Sequence, residues 1–365
     1  MSHVPERYED ELLSEEPLSD ELLSDELLSG ELLSVEGLSV DYFDRAEPVH
    51  AVRDVRLGVR RGETLGVVGE SGCGKSTLVT ALTRLERPPA VITAGSALYR
   101  PREGEPVDLL RADERQLSAL RWRHLAIVFQ SAMNALNPVH RLGAQFVDVL
   151  RAQRGLSKKE AQERAGELLG LVGIPADRLR AYPHELSGGM RQRATIALAL
   201  ACEPELVVMD EPTTAVDVVM QRQILKQIGK LQAEFGFSVV FVTHDLSLLI
   251  EIADRIAVMY AGRVVEVGPA RQLYENPAHP YTAALRNAFP PLRGPRRPLT
   301  GIPGSPPGLR HPPAGCAFHP RCASRFAPCD TEEPELLPAG AGEAACHLPT
   351  HADAPRTEEA PDATD

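Results

Sequence analysis

The run TLGVVGESGCGKSTLVTALTRL, residues 64–85, decides how the rest of the chain is read. Thr64–Val68 is apolar enough for a buried strand, and LVTALTRL at its far end reads as a helix. Between them GESGCGKS, Gly69–Ser76, fits the G-x-x-x-x-G-K-[ST] phosphate loop, in the strand-before, helix-after context that this loop requires. Successive backbone N–H groups form an anion cradle there, glycine permits positive φ and close approach, and the helix start adds a favourable dipole. Lys75 is then placed for the β- and γ-phosphates of a nucleotide and Ser76 for Mg2+. A plain glycine turn is the competing reading, and the flanking elements argue against it. Cys73 inside the loop reads as a small filler.

Downstream, ELVVMDEP (205–212) is a strand ending in two adjacent carboxylates, Asp210 and Glu211. A hard cation takes the first, and a hydrolytic water needs an orienting base such as the second. Alone, such a pair is ordinarily a polar strand end; its weight comes from the phosphate loop upstream. HELSGGMRQR (184–193) sets Ser-Gly-Gly at the start of a helix, a second anion-binding terminus, although Ser187 would also serve as an ordinary N-cap. One nucleotide does not need two such termini from one chain, so the simplest use is a dimer in which this one closes over the other subunit's nucleotide. Strand-like runs at 206–209, 239–242 and 256–260, with helical segments such as QRQILKQIGKLQAEF between the first two, predict an α/β fold with a mostly parallel sheet. A helical insertion over about 131–185 interrupts it, with KKEAQERAGELLGLVG its clearest helix.

The 365 residues, 43% of them hydrophobic, suffice for roughly two domains and an ordinary core. No apolar run approaches the roughly 18–20 residues that span a bilayer, and Met1–Asp10 lacks a signal peptide's basic start and apolar core, so a cytoplasmic chain is expected. The net charge of −12 sits at the ends: residues 1–34 carry −10 and residues 351–365 carry −4, leaving +2 between them. No basic stripe of the kind nucleic acid requires is present, so nucleic acid is not an expected partner. ELLS recurs at Glu11, Glu21, Glu26 and Glu31. A five-residue step advances a helix about 140° past a full turn and flips faces on a strand, so the leucine pairs build no single stripe. Residues 1–33 are therefore read as a disordered acidic tail, with helix formation on a partner as the alternative, while LLSVEGLSVDYF from Leu32 reads as a strand. Residues 290–338 hold 13 of the 31 prolines, so 291–350 reads as a loop-rich extension and 351–365 as a second disordered tail.

That extension contains Cys316, Cys322, Cys329 and Cys346, spaced C-x5-C-x6-C-x16-C. A cytosolic chain should not rely on disulfides, zinc usually takes tighter pairs, and no common ferredoxin pattern matches. Thiolates do ligate iron–sulfur clusters, and a segment with little core gains most from a metal staple, so cluster, zinc and free thiols stay open on spacing alone. Cys202, ending an apolar helix, reads as a core residue.

Taken together, Lys75 in its loop, Gln130 in IVFQ, LSGGM at Leu186–Met190, Asp210 with Glu211, Ala215–Asp217 and His244 in VTHD stand in the order and approximate spacing of ATP-binding cassette (ABC) ATPases. The resemblance covers about residues 34–290 and implies a P-loop NTPase cassette with a β subdomain, dimerising head to tail around two ATP molecules. It implies that Tyr42 stacks on adenine, with Phe43 an alternative, and that Gly69, Glu70, Ser71, Gly72, Cys73, Gly74, Lys75, Ser76 and Thr77 hold the phosphates. Ser76, Gln130 and Asp210 would organise Mg2+, Glu211 polarise the attacking water and His244 contact the γ-phosphate. Ser187, Gly188, Gly189 and Asp217 would complete the partner's site. AVD stands where the family usually has ALD, which leaves Asp217 in place.

QSAMNALNPV after Gln130, YPHELSGGMRQR and ENPAHPYTAAL (275–285) resemble the ATPases of peptide importers, a branch that also serves nickel and some oligosaccharides. Its members follow HPYT with a tail similar to GIPGSPPGLRHPPAGCAFHPRC (301–322) and carry a four-iron four-sulfur (4Fe–4S) cluster there. The resemblance thus implies Cys316, Cys322, Cys329 and Cys346 as its ligands, with His347 the lesser candidate. The protein so implied is an ATP-hydrolysing importer subunit, peripheral at the cytoplasmic face of the plasma membrane. Its partners would be a second cassette, related but different, two permease subunits and, indirectly, an extracytoplasmic solute-binding protein. Two rival readings are a soluble ABC ATPase acting on nucleic acid or ribosomes, and an iron–sulfur sensor with an ATPase module attached. The first commonly shows two cassettes, a coiled-coil insertion or a basic surface, and none is evident in the sequence.

Overall fold

The computed structural model describes residues 30–44, 47–130, 135–213, 218–288 and 301–348. Strands β1 (Glu31–Tyr42) and β2 (Val49–Arg60) pair antiparallel; β3 (Thr64–Val68) leaves them for a second sheet, and β4 (Ala90–Tyr99) returns to β1 with the short β5 (Val107–Asp108) at its edge. The second sheet takes β6 (Leu125–Val128), β7 (Leu206–Asp210), β8 (Ser238–Thr243), β9 (Arg255–Tyr260) and β10 (Arg263–Pro269), and ends on a hairpin of β11 (Leu337–Ala339) and β12 (Gly342–Ala344). Its spatial order is β6-β7-β8-β3-β9-β10-β12-β11, parallel from β6 to β9 and antiparallel beyond. Every residue of β3, β7 and β8 is buried. Parallel strands covered on both faces read as unbroken apolar runs, which is why these three were visible in the sequence.

Alternate residues of the parallel strands feed two cores. Leu206, Val208, Val240 and Val242 pack with β1, β2 and β4, whereas Val207, Met209, Val239 and Phe241 pack with helices. The helices are α1 (Lys75–Leu82), α2 (Glu114–Leu120), the insertion's α3 (Leu142–Arg154) and α4 (Lys158–Leu171), then α5 (Gly188–Ala199), α6 (Val218–Phe235), α7 (Leu246–Ile252), α8 (Ala270–Glu275) and α9 (Pro280–Ala288). The start of α4 is a capping box: the Ser157 hydroxyl accepts the Glu160 N–H at 3.3 Å while Glu160 Oε2 accepts the Ser157 N–H at 2.8 Å, a contact worth about 1 kcal/mol. Its buried Ala161, Ala165, Leu168 and Leu169 form the apolar stripe expected of an amphipathic helix.

Two sequence expectations are refined. The acidic tail was bounded at residue 33 and a strand expected from Leu32; β1 begins at Glu31, so the fourth ELLS copy is strand and not tail, with Leu32 and Leu33 each 1% exposed. A register irregularity between Glu31 and Leu33 accounts for two successive leucines turning inward, which simple alternation forbids. The extension, expected to be loop-rich, contributes the short β11 and β12 to the open edge, where Pro338 on the outermost strand is tolerated. It is also docked on the core: Phe318 is 3% exposed, and Ile302, Leu309, Cys316 and Cys322 pack against the same cluster.

Candidate active site

Residues 69–74 carry the chain from the end of β3 to the start of α1. Only glycine fits at two of these positions. A Cβ at Gly69 would meet the Met259 carbonyl oxygen of β9 at 2.2 Å, and at Gly74, where φ is +105°, one would meet the Ala51 carbonyl oxygen at 2.2 Å. No side-chain hydrogen bond caps α1 among the described residues, which leaves its first N–H groups to a ligand. Lys75 is 6% exposed, and its ammonium donates to the Gly69 carbonyl at 2.7 Å and the Glu70 carbonyl at 2.9 Å. The cation is therefore stored on the loop itself. Cys73 is buried, and burial pushes its thiol up against the opposing pull of Lys75, consistent with a filler.

Above the loop opens a cleft. Tyr42, Val49 and Ala51 form one wall, Ser71, Gly72 and Gly74–Thr77 the floor, and Gln130 and Glu211 the far side. The Tyr42 hydroxyl lies 3.2 Å from that of Thr77. Phe43 is not part of the lining; its N–H donates to the Pro89 carbonyl at 2.9 Å. Asp44, Pro89 and, from the extension, Leu309 complete the lining, and the Leu309 carbonyl accepts the His50 N–H at 3.2 Å. Sequence reasoning missed Leu309, because the proline-rich segment has no periodicity to place it.

Asp210, the last residue of β7, is 5% exposed, and its Oδ1 has no hydrogen-bond partner among the described residues. Burial raises its pKa, a hydrogen bond from the Ser76 hydroxyl lowers it, and the Glu211 charge raises it again. A buried carboxylate with an orphaned oxygen beside a serine hydroxyl is a donor set that a hard divalent cation satisfies, so these residues fit Mg2+. Glu211 follows at φ +44°, the left-handed region that a non-glycine residue enters only under constraint. Its Oε2 accepts from Gln130 Nε2 at 2.8 Å and its Oε1 from His244 Nδ1 at 3.1 Å, so that imidazole nitrogen carries the proton. The turn holding His244 is fixed by Asp245, whose Oδ1 accepts the Ser247 and Leu248 N–H groups that start α7.

Four neighbouring parallel strands thus deliver these groups to one edge: β3 the loop, β8 His244, β7 the two carboxylates and β6 Gln130. The C-terminal edge of a parallel sheet is where such folds place ligands. Ser187, Gly188 and Gly189 do not line the cleft; Ser187 caps α5, accepting the Met190 N–H at 3.3 Å. Asp217 lies outside the described residues.

In the extension, Cys316, Cys322, Cys329 and Cys346 line one small cavity with His279, Phe318, His319 and His347. None of the six cysteines is in a disulfide. Burial raises the thiols of Cys316, Cys322 and Cys346, the last to about 12, and neighbouring thiols add to the rise. His347 Nε2 donates to the Glu332 carbonyl at 3.0 Å. The expected metal site does not appear as a tight grouping: among the described residues no three His, Cys, Asp or Glu side chains are drawn together as a single ion requires.

Residues 52–214 match the family model described as ABC transporter, and residues 265–329 the one described as oligopeptide/dipeptide transporter, C-terminal region. A Brucella melitensis protein named for peptide import and ATP binding is 49% identical over 303 residues, covering 80% of this chain and 89% of its own. The oligopeptide transport ATP-binding protein OppD of Salmonella typhimurium is 44% identical over 288 residues (78% and 84%), and the dipeptide transport ATP-binding protein DppD of Bacillus subtilis 42% over 289 (78% and 85%). A solved dimeric ATP-binding cassette in a post-hydrolysis state, with ADP and phosphate bound, aligns with TM-score 0.58 at 29% identity, covering 66% of this chain and 99% of that one. Phosphate loop, paired carboxylates and tail agree with these matches: the chain belongs to the family of ATP-binding proteins of oligopeptide and dipeptide ABC transporters.

Proposed function

We propose that this chain is the ATP-hydrolysing subunit of an ABC importer that drives uptake of di- and oligopeptides. The observation that carries this reading is the convergence of the phosphate loop, Asp210, Glu211, Gln130 and His244 on one sheet edge. In it, Gly69–Thr77 cradle the phosphates and Tyr42 stacks on the base. Ser76, Gln130 and Asp210 hold Mg2+, which supplies charge neutralisation for the transferring phosphoryl group. Glu211 orients the attacking water, its two oxygens steered by Gln130 and His244. Ser187, Gly188, Gly189 and Asp217 complete the site of a second, related cassette, a role supported by the first three not lining their own cleft. Two permease subunits and an extracytoplasmic binding protein complete the assembly, with this subunit peripheral at the cytoplasmic face. No helix among the described residues is long and apolar enough to cross a membrane. The cassette, expected from about residue 34, is assigned to about residues 31–290 and the extension to 291–350, with acidic tails on either side.

The four tail cysteines are proposed to hold a 4Fe–4S cluster, supported by their shared cavity and the absence of disulfides. A cluster would staple a segment that has little regular structure of its own.

The test of the transport reading is the complex reconstituted in vesicles with its permeases and binding protein. ATP-dependent accumulation of a labelled tripeptide, abolished by Lys75→Ala, is expected; hydrolysis that never responds to peptide-loaded binding protein would count against it. Iron and sulfide near four each after anaerobic purification, lost in Cys316→Ser/Cys322→Ser, are expected for the tail. One zinc per chain would remove the cluster and leave the ATPase reading intact.

A further inference from the structure

Arg321 lies in the extension, yet its side chain is 6% exposed and spans the gap to the phosphate loop. Nη1 donates to Glu70 Oε2 at 2.7 Å and Nη2 to Glu70 Oε1 at 3.0 Å, the two-pronged arrangement a guanidinium offers a carboxylate. Two further donors are used as well: Nη1 to the Tyr260 hydroxyl at 3.2 Å and Nε to the Pro303 carbonyl at 2.7 Å. The plane lies 5.9 Å from the Tyr260 ring centre and 6.0 Å from that of Phe318. Glu70 is the second residue of the loop; its N–H donates to the Tyr281 hydroxyl at 2.9 Å and its carbonyl accepts the Lys75 ammonium.

Tethering alone does not account for this contact, because the extension has another anchor: Glu333 pairs with Arg53 at 3.0 Å and with Arg263 at 2.6 Å, away from the loop. What the Arg321 pair adds is electrostatic. A carboxylate at the rim of an anion cradle repels a triphosphate, and a buried guanidinium cancels that charge and fixes its direction.

We infer that Arg321 is a positioning residue of the nucleotide site: it neutralises and aims Glu70, so that the phosphate loop binds ATP more tightly with the extension docked. This rests on the reading of the cleft as an ATP site. The extension is thereby part of the binding apparatus.

The experiment is MgATP affinity of the full chain, measured by calorimetry, with thermal unfolding recorded separately. Arg321→Gln is expected to weaken binding about tenfold by leaving Glu70 uncompensated. Glu70→Gln/Arg321→Gln, which removes both charges, is expected to bind about threefold or more tighter than Arg321→Gln alone. Wild-type affinity in the single variant overturns the inference, and so does a double variant that binds as weakly as the single, since that marks a packing role. Should Arg321→Gln fail to fold, Arg321→Lys keeps the charge and loses the fork; a two- to fivefold loss is expected, and no loss overturns it. Absence of ATP binding by the wild-type chain would instead sink the reading of the cleft.

Discussion

At Glu211 a strained backbone, φ +44°, and two hydrogen bonds fix a carboxylate whose position is set before any ligand arrives. Glu211→Gln keeps the size of the side chain and loses the charge, so MgATP affinity should stay within about threefold while turnover falls by a factor on the order of 100 to 1,000. Nucleotide-bound dimer should then accumulate on size-exclusion chromatography; near-normal turnover in the assembled complex would refute the role. His279 makes a second prediction. It is fully buried, its Nδ1 accepts the Tyr281 N–H at 3.0 Å, and burial lowers its pKa to about 4 from 6.5. The folded chain thus binds fewer protons there than the unfolded one. The associated stability is complete above pH 6.5 and is lost as pH falls towards 4, at most about 3 kcal/mol. Glu266, which accepts the His279 backbone N–H and is raised by burial, contributes with the opposite sign, so the comparison must be with His279→Gln. The melting midpoint of metal-free wild type should fall more steeply between pH 7 and 5 than that of the variant; parallel curves would contradict the assignment. The phosphate loop was legible because its chemistry is contained in eight consecutive residues. The Arg321–Glu70 pair was not, because 251 residues separate its members and an arginine before a cysteine carries no local signal.

Elements were legible in proportion to how completely they are buried or how regular their stripe is. Strands β3, β7, β8 and β9 announced themselves as apolar runs, and α4 and α6 as amphipathic helices. The strand from Leu32 was legible, but the fourth ELLS copy was still counted with the tail, because a five-residue repeat suits neither a helix nor a strand until a bulge lets Leu32 and Leu33 both face the core. Removing residues 1–29 should leave the melting midpoint within about 2 °C. Removing residues 1–35 takes Leu32, Leu33 and Val35, each 1% exposed or less, at about 1.5–3 kcal/mol apiece. That chain should be mostly unfolded by circular dichroism; a cooperative transition near the wild-type midpoint would show that β1 can begin later.

At the scale of the molecule, the order of motifs along the chain revealed the cassette, while the reach of residues 301–348 stayed hidden. Proline-rich sequence signals only what it cannot form. Its attachments are distributed: Phe318 in the core, Arg321 on the phosphate loop, Glu333 on β2 and β10, Leu309 in the cleft. The hairpin of β11 and β12 has a further consequence. Without it, β10, five of whose seven residues are buried, would present a bare row of N–H and C=O groups to other chains. The present outermost strand, three residues long and interrupted by Pro338, is a poor template for further pairing. A chain ending before residue 301 should therefore aggregate through sheet-edge association, seen as rising light scattering at micromolar concentration, whereas the full chain stays monodisperse: the same segment that completes the nucleotide site also keeps the cassette from polymerising.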